Sequence, residues 1–218
     1  MNFPRILKKR KGYIDRIKPF MQKPVVKVLT GQRRVGKSFL LYQLIEEILA
    51  EEPDANIIYV NLEDFTFSSL QTAEDLHSYI ISHSKEKAKN YIFIDEIQDI
   101  PGFEKVIRSL LLNEDNDIYI TGSNAKMLSG ELATYLSGRY IEFKIYSLSY
   151  SEFLEFHGLT ESETSYELYS RYGGLPYLLN LPLEDETVNE YLKSVYSRLY
   201  FVMLSVDTSY AILCSLRN

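Results

Sequence analysis

Residues Gly31-Gln-Arg-Arg-Val-Gly-Lys-Ser38 follow an apolar run at Val25, Val26, Val28 and Leu29 and precede apolar residues at helical spacing, Leu41, Leu44, Ile45, Ile48 and Leu49. A strand, a glycine-bearing turn and a helix in that order leave few folds open. Glycines at 31 and 36 let the backbone curl until successive N–H groups converge on an anion, with the positive end of the helix behind them. The spacing G-x-x-x-x-G-K-[ST] predicts a phosphate cradle made by Gly31, Gln32, Arg33, Arg34, Val35, Gly36, Lys37, Ser38 and Phe39. Within it Lys37 is placed to bridge the β- and γ-phosphates of a nucleoside triphosphate, and the Ser38 hydroxyl to ligate a phosphate-bound Mg²⁺.

Tyr91-Ile-Phe-Ile-Asp-Glu96 is an apolar strand ending in two acids. An Asp at the carboxyl end of a buried parallel strand can hold Mg²⁺ through its water shell, and a neighbouring Glu can orient and deprotonate an attacking water. Asp95 is thus the metal candidate and Glu96 the base. After another short strand, Ile118-Tyr-Ile120, comes Thr121-Gly-Ser-Asn124, where Ser123 or Asn124 is placed to sense a terminal phosphate at the sheet edge. Leu136-Ser-Gly-Arg139 sets an arginine before a further strand, Tyr140 to Ile145. Such an arginine stabilises transition-state charge in its own subunit or a neighbour, or simply pairs with a surface acid.

These segments, with Ser147-Leu-Ser149, Glu152-Phe153 and Tyr172-Gly-Gly-Leu-Pro176, resemble a family of prokaryotic AAA+-type ATPases over roughly residues 13 to 198. Members of that family usually carry a nuclease-like C-terminal domain of undefined function. The resemblance implies an ATP-binding domain with ATPase activity, ATP and Mg²⁺ as cofactors, and nucleotide handling by Lys37, Ser38, Asp95, Glu96 and Asn124, with Arg139 as a catalytic candidate. It also implies a parallel sheet in the order 5-1-4-3-2. Family members continue with charged helices, whereas residues 199–218 carry only Asp207 and Arg217 as charges, so a truncated or frame-altered tail is expected there.

The order of elements gives an α/β fold of the P-loop NTPase type, a parallel sheet sandwiched by helices. Strands are expected near 25–30, 56–62, 91–95, 117–121 and 140–145. Helices are expected near 38–50, 72–84, 103–112 and 125–136. Helices at 151–157, 164–172 and 183–199 make a small helical lid, so the expected division is an ATPase core over 1–147, a lid over 148–198 and the atypical tail.

The chain has 24 basic and 30 acidic residues, yet twelve of the basic ones precede Ser38 against the single acid Asp15. Such an arm is a solvated terminus, a face for the acidic remainder, or a salt-dependent contact for nucleic acid. No recognition motif for nucleic acid accompanies it. One cysteine, Cys214, excludes an internal disulfide framework and suits a reducing cytoplasm. The interrupted apolar stretch 199–216 argues against a membrane span. The three histidines lack ligand spacing, and strand tyrosines such as Tyr59, Tyr91, Tyr119 and Tyr140 read as packing.

Three functions remain: an ATPase whose cycle moves or gates the lid, a nucleotide-gated switch or scaffold with little hydrolysis, and a small-molecule kinase. The acids at 95 and 96 favour the first over the last. A homo-oligomer or a partner protein is compatible with either of the first two. The absence of an Asn-Lys-x-Asp segment disfavours GTP.

Overall fold

The computed structural model describes residues 8–122, 136 and 138–195. Five strands form one parallel sheet: β1 Val26–Thr30, β2 Asn56–Asn61, β3 Asn90–Asp95, β4 Asn116–Gly122 and β5 Tyr140–Lys144. Their spatial order is β2-β3-β4-β1-β5, which is the order 5-1-4-3-2 read from the other edge. The chain before β1 holds a short helix, α1 Lys11–Ile17. The crossovers carry α2 Lys37–Glu51, α3 Ala73–His83 and α4 Phe103–Leu110. The helix expected over 125–136 lies outside the described residues apart from Leu136.

Alternation along the central strands explains the layers, because successive side chains of a strand point to opposite faces. From β3, Ile92 and Ile94 join Val28, Val60, Ile118 and Ile120 and pack with Leu76 and Ile80 of α3 and Val106, Ile107 and Leu110 of α4. Tyr91 and Phe93 take the other face, with Leu29, Tyr119 and Phe143, under Ile14 and Ile17 of α1 and Leu40, Leu41, Leu44 and Ile45 of α2. Phe93 and Tyr119 stack with ring centroids 4.4 Å apart. Tyr91 and Tyr119 are thus core residues, as strand tyrosines are expected to be. All residues of β3 and β4 are buried, which is what a parallel strand covered on both faces requires.

Two charges sit inside this sheet. Lys27 of β1 and Asp117 of β4 form an ion pair, and neither side chain is solvent-accessible. Asp117 also accepts the Tyr119 hydroxyl at 2.8 Å and the Gln22 backbone N–H at 2.8 Å, so its remaining lone pairs are used. The Lys27 ammonium lies 4.5 Å from the Tyr119 ring centre. Burial pushes the Lys27 ammonium below its ordinary range, and the Asp117 carboxylate opposes that shift.

The chain divides into two compact units between Ser147 and Leu148. In the second, α5 Tyr150–His157 begins with a reciprocal capping box between Ser149 and Glu152. Helix α6 Glu163–Tyr172 is capped by Ser162. A further helix spans 185–195, and Tyr172, Leu178 and Val188 make the small core of this unit. Gly174 has no room for a side chain, since a Cβ there would collide with the Leu148 carbonyl.

Candidate functional site

The loop between β1 and α2 begins where Gly31 passes under the chain leaving β5. A Cβ on Gly31 would collide with the Ile145 carbonyl, and the Ile145 N–H donates to the Thr30 carbonyl at 2.7 Å. Gly36 takes a left-handed conformation, φ 92°, at the start of α2, a position that side chains strain to adopt. Val35 is buried beneath the loop, while Gln32, Arg33 and Arg34 are exposed on it. Arg33 approaches Glu63 at 3.9 Å on the rim. Phe39 is half-exposed on α2 and meets Tyr42 edge to face.

Lys37 is the first residue of α2 and is 4% exposed. Its ammonium donates to the carbonyls of Gly31 at 3.2 Å and Gln32 at 3.1 Å. It lies 3.5 Å from Oε1 of Glu96. One ammonium therefore joins the loop to the end of β3.

Asp95 ends β3, buried to 1% exposure. Its Oδ1 accepts the Thr121 hydroxyl, and its Oδ2 accepts the Tyr59 hydroxyl at 3.4 Å. Burial holds the Asp95 carboxyl above its ordinary range, while hydrogen bonds from Ser38 and Thr121 pull it down. Ser38 and Asp95, the two metal candidates, are thus in contact. Glu96 stands in a left-handed conformation, φ 56°, that turns the chain out of the strand into the turn Ile97–Asp99. Its N–H donates to the Thr121 hydroxyl at 3.0 Å, and its Oε2 accepts the Gln98 side-chain amide at 2.5 Å.

The structure therefore brings Gly31, Gly36, Lys37, Ser38, Asp95 and Glu96 together at the carboxyl edge of the sheet. A hydroxyl and a carboxylate side by side are the hard oxygen donors that Mg²⁺ takes, and they flank a buried ammonium suited to phosphate. The residues present fit both groups.

Arg139 is not among them. It is exposed, and its carbonyl accepts the Val26 N–H at 3.0 Å at the amino end of β1. Val26 and Thr30 are four residues apart on that strand, about 13 Å at the usual rise, so Arg139 stands away from the loop of its own chain. Asn124 and Ser123 lie outside the described residues.

Three positions that sequence reasoning did not assign complete the site. Thr121 bridges Asp95 and Glu96, Gln98 holds Glu96, and Tyr59 reaches Asp95 from β2. The signal for Thr121 was its place at the carboxyl end of β4, which the expected strand order already set beside the end of β3.

Two lysines of the basic arm pair with acids of α2. Lys9 pairs with Glu47 at 2.7 Å, and Lys18 pairs with Glu47 at 2.8 Å and Glu51 at 3.9 Å. Those hydrogen bonds, from Lys18 first and then Lys9, hold Glu47 below its ordinary range. Among the described residues no helix is long and apolar enough to cross a membrane, and no cluster of three or more His, Cys, Asp or Glu is arranged to hold a metal.

A family profile described as AAA domain matches residues 23–154, more than half of the chain. An uncharacterized protein of Haemophilus influenzae is 39% identical over 196 residues, covering 85% of this chain and 47% of that protein. Uncharacterized protein MJ1544 of Methanocaldococcus jannaschii is 31% identical over 188 residues, covering 79% of this chain and 41% of that protein. The chain spans under half the length of these relatives. In fold it is similar to Saccharomyces cerevisiae Hsp104, solved as a casein complex, with a TM-score of 0.55, 15% identity, and coverage of 80% of this chain and 36% of that one. The profile match, the parallel order of the sheet and the loop at its carboxyl edge agree: the chain belongs to the AAA domain family, of the AAA+-type P-loop ATPases.

Proposed function

We propose that the chain binds ATP with Mg²⁺ at the loop Gly31 to Phe39 and hydrolyses it to drive or gate a conformational change. The observation that carries this reading is the convergence of Lys37, Ser38, Asp95 and Glu96 at one edge of the sheet. Loop N–H groups and Lys37 would hold the phosphates, and Ser38 and Asp95 would hold Mg²⁺, which would supply neutralisation of phosphate charge. Glu96 takes the proton of the attacking water, and the Thr121 hydroxyl fixes the backbone from which it does so. Asn124 is retained from the sequence as the residue that senses the terminal phosphate. Arg139, placed away from its own loop, acts on the site of a neighbouring subunit. The helical unit from residue 148 onward is the element that the cycle moves.

One observation favours a second reading, a nucleotide-gated switch with little turnover. Both carboxylate oxygens of Glu96 are engaged, one by Lys37 and one by Gln98, and a carboxylate so held is a poor base until a partner releases it. Mg-ATP hydrolysis measured across protein concentration, with and without duplex DNA, separates the two. Specific activity that rises with concentration supports an ATPase completed by Arg139 of a neighbour. Turnover only upon addition of DNA supports the gated switch. No turnover under any condition removes the hydrolytic reading.

A further inference from the structure

Arg10 lies among surface lysines, yet it is 4% exposed. Its Nη1 donates to the carbonyl of Val35 at 3.2 Å and to that of Tyr146 at 2.8 Å, and its Nη2 reaches the Ser147 carbonyl at 3.4 Å. Val35 belongs to the phosphate loop and immediately precedes Gly36 and Lys37. Tyr146 follows Ile145, the residue that packs against Gly31 and bonds to Thr30. A single guanidinium therefore fastens the back of the loop to the segment leaving β5.

The backbone around Arg10 is held as firmly. Its N–H donates to Oε1 of Gln43 on α2 at 2.9 Å, and Nε2 of Gln43 donates to the Lys8 carbonyl at 3.3 Å. Its carbonyl accepts the N–H groups of Tyr13 and Ile14 and so opens α1. The guanidinium lies 4.5 Å from the Tyr13 ring centre, and the Tyr13 hydroxyl accepts the Tyr146 N–H at 3.0 Å. Burying this cation is costly unless its donors are used, and a planar fork serves several fixed carbonyls where a lysine serves fewer. The C=O and N–H of one peptide point in opposite directions. Drawing the Val35 carbonyl toward Arg10 thus turns the Gly36 N–H away from Arg10, as a loop that presents N–H groups to phosphate requires.

We propose that Arg10 is a positioning residue for the nucleotide site: it fixes the Val35–Gly36 peptide from behind and couples the order of the loop to the docking of α1. The inference rests on the reading of this loop as an ATP site. Coupling is reciprocal, so a nucleotide that orders the loop also protects α1.

The test is calorimetric titration of Mg-ADP into the wild type, Arg10→Lys and Arg10→Ala, together with hydrogen exchange at the Tyr13 and Ile14 amides. Arg10→Lys keeps the charge and most of the bulk, which supplies a folded variant should Arg10→Ala not fold. Both variants are expected to bind Mg-ADP about tenfold more weakly or worse, the scale of one lost charge-assisted hydrogen bond. Saturating Mg-ADP is expected to slow exchange at Tyr13 and Ile14 in the wild type and to leave it unchanged in a folded variant, a coupling that a merely structural arginine would not produce. Folded Arg10→Lys with affinity within about twofold of the wild type overturns the inference. So does wild-type exchange at α1 that is indifferent to Mg-ADP. A wild type that binds no Mg-ADP overturns the ATP reading itself, and this inference with it.

Discussion

The ammonium of Lys37 and the carboxylate of Glu96 stand 3.5 Å apart, both almost wholly buried, and join the first turn of α2 to the end of β3. Each is thereby held in place by the other. Replacing Glu96 by Gln keeps the amide contact to Gln98 within reach but removes the base. Glu96→Gln is expected to bind Mg-ATP at least as well as the wild type while hydrolysis falls by about 10²- to 10⁴-fold, the usual contribution of a general base. Unchanged turnover in a phosphate-release assay would remove Glu96 from that role.

Thr121 donates to Asp95 and accepts from the Glu96 backbone, so one hydroxyl orients both acids. Thr121→Val has nearly the same shape and lacks both bonds. It leaves a buried carboxylate and a buried N–H short of a partner, at a cost of about 1–3 kcal/mol each. Lower thermal stability together with a higher Mg²⁺ requirement for nucleotide binding is the expected outcome. A variant indistinguishable from the wild type in both would show that Thr121 only fills space.

The raised Asp95 carboxyl gives a pH signature whose sign follows from linkage. A folded-state value above the unfolded one, about 3.9 for Asp, contributes stability that is present below the unfolded value and lost as pH rises through the folded value. Without a cation, ionising Asp95 is therefore a burden that burial imposes. Asp95→Asn, in metal-free buffer, should melt higher than the wild type near about pH 8, with the gain shrinking toward about pH 5. Added Mg²⁺ should raise the wild-type melting temperature and leave the variant's unchanged. The opposite pH trend would contradict the assignment.

The Lys27–Asp117 pair crosses the sheet with no solvent to relieve either member. Removing one partner strands the other, so Lys27→Met is expected to cost about 3–5 kcal/mol in urea unfolding. Combining it with Asp117→Asn, which keeps acceptors for Tyr119 and Gln22, should restore most of that loss. A double variant no more stable than Lys27→Met would mean that the pair is not what the single substitution breaks.

Local pattern carried much of this molecule. The strand-glycine-helix sequence around Gly31 and the acids closing β3 located the site, because each depends on residues adjacent in the chain. The order of the sheet came from family likeness rather than from periodicity. What stayed illegible depends on distant partners. Lys27 and Asp117 interrupt apolar strands and look like surface positions until β1 and β4 are set side by side. Arg10 sits among lysines and reads as a solvated arm, yet its burial rests on carbonyls far along the chain. The seven-residue α1 begins without a side-chain cap, which left it without a start signal.

The most direct test is calorimetric titration of Mg-ATP into the wild type and Lys37→Ala under identical conditions. The wild type is expected to saturate with a single site per chain and the variant to show no measurable heat of binding. A wild type without affinity, or a folded Lys37→Ala that binds as tightly as the wild type, would contradict the claim that the loop before α2 and the acids ending β3 form one nucleotide site.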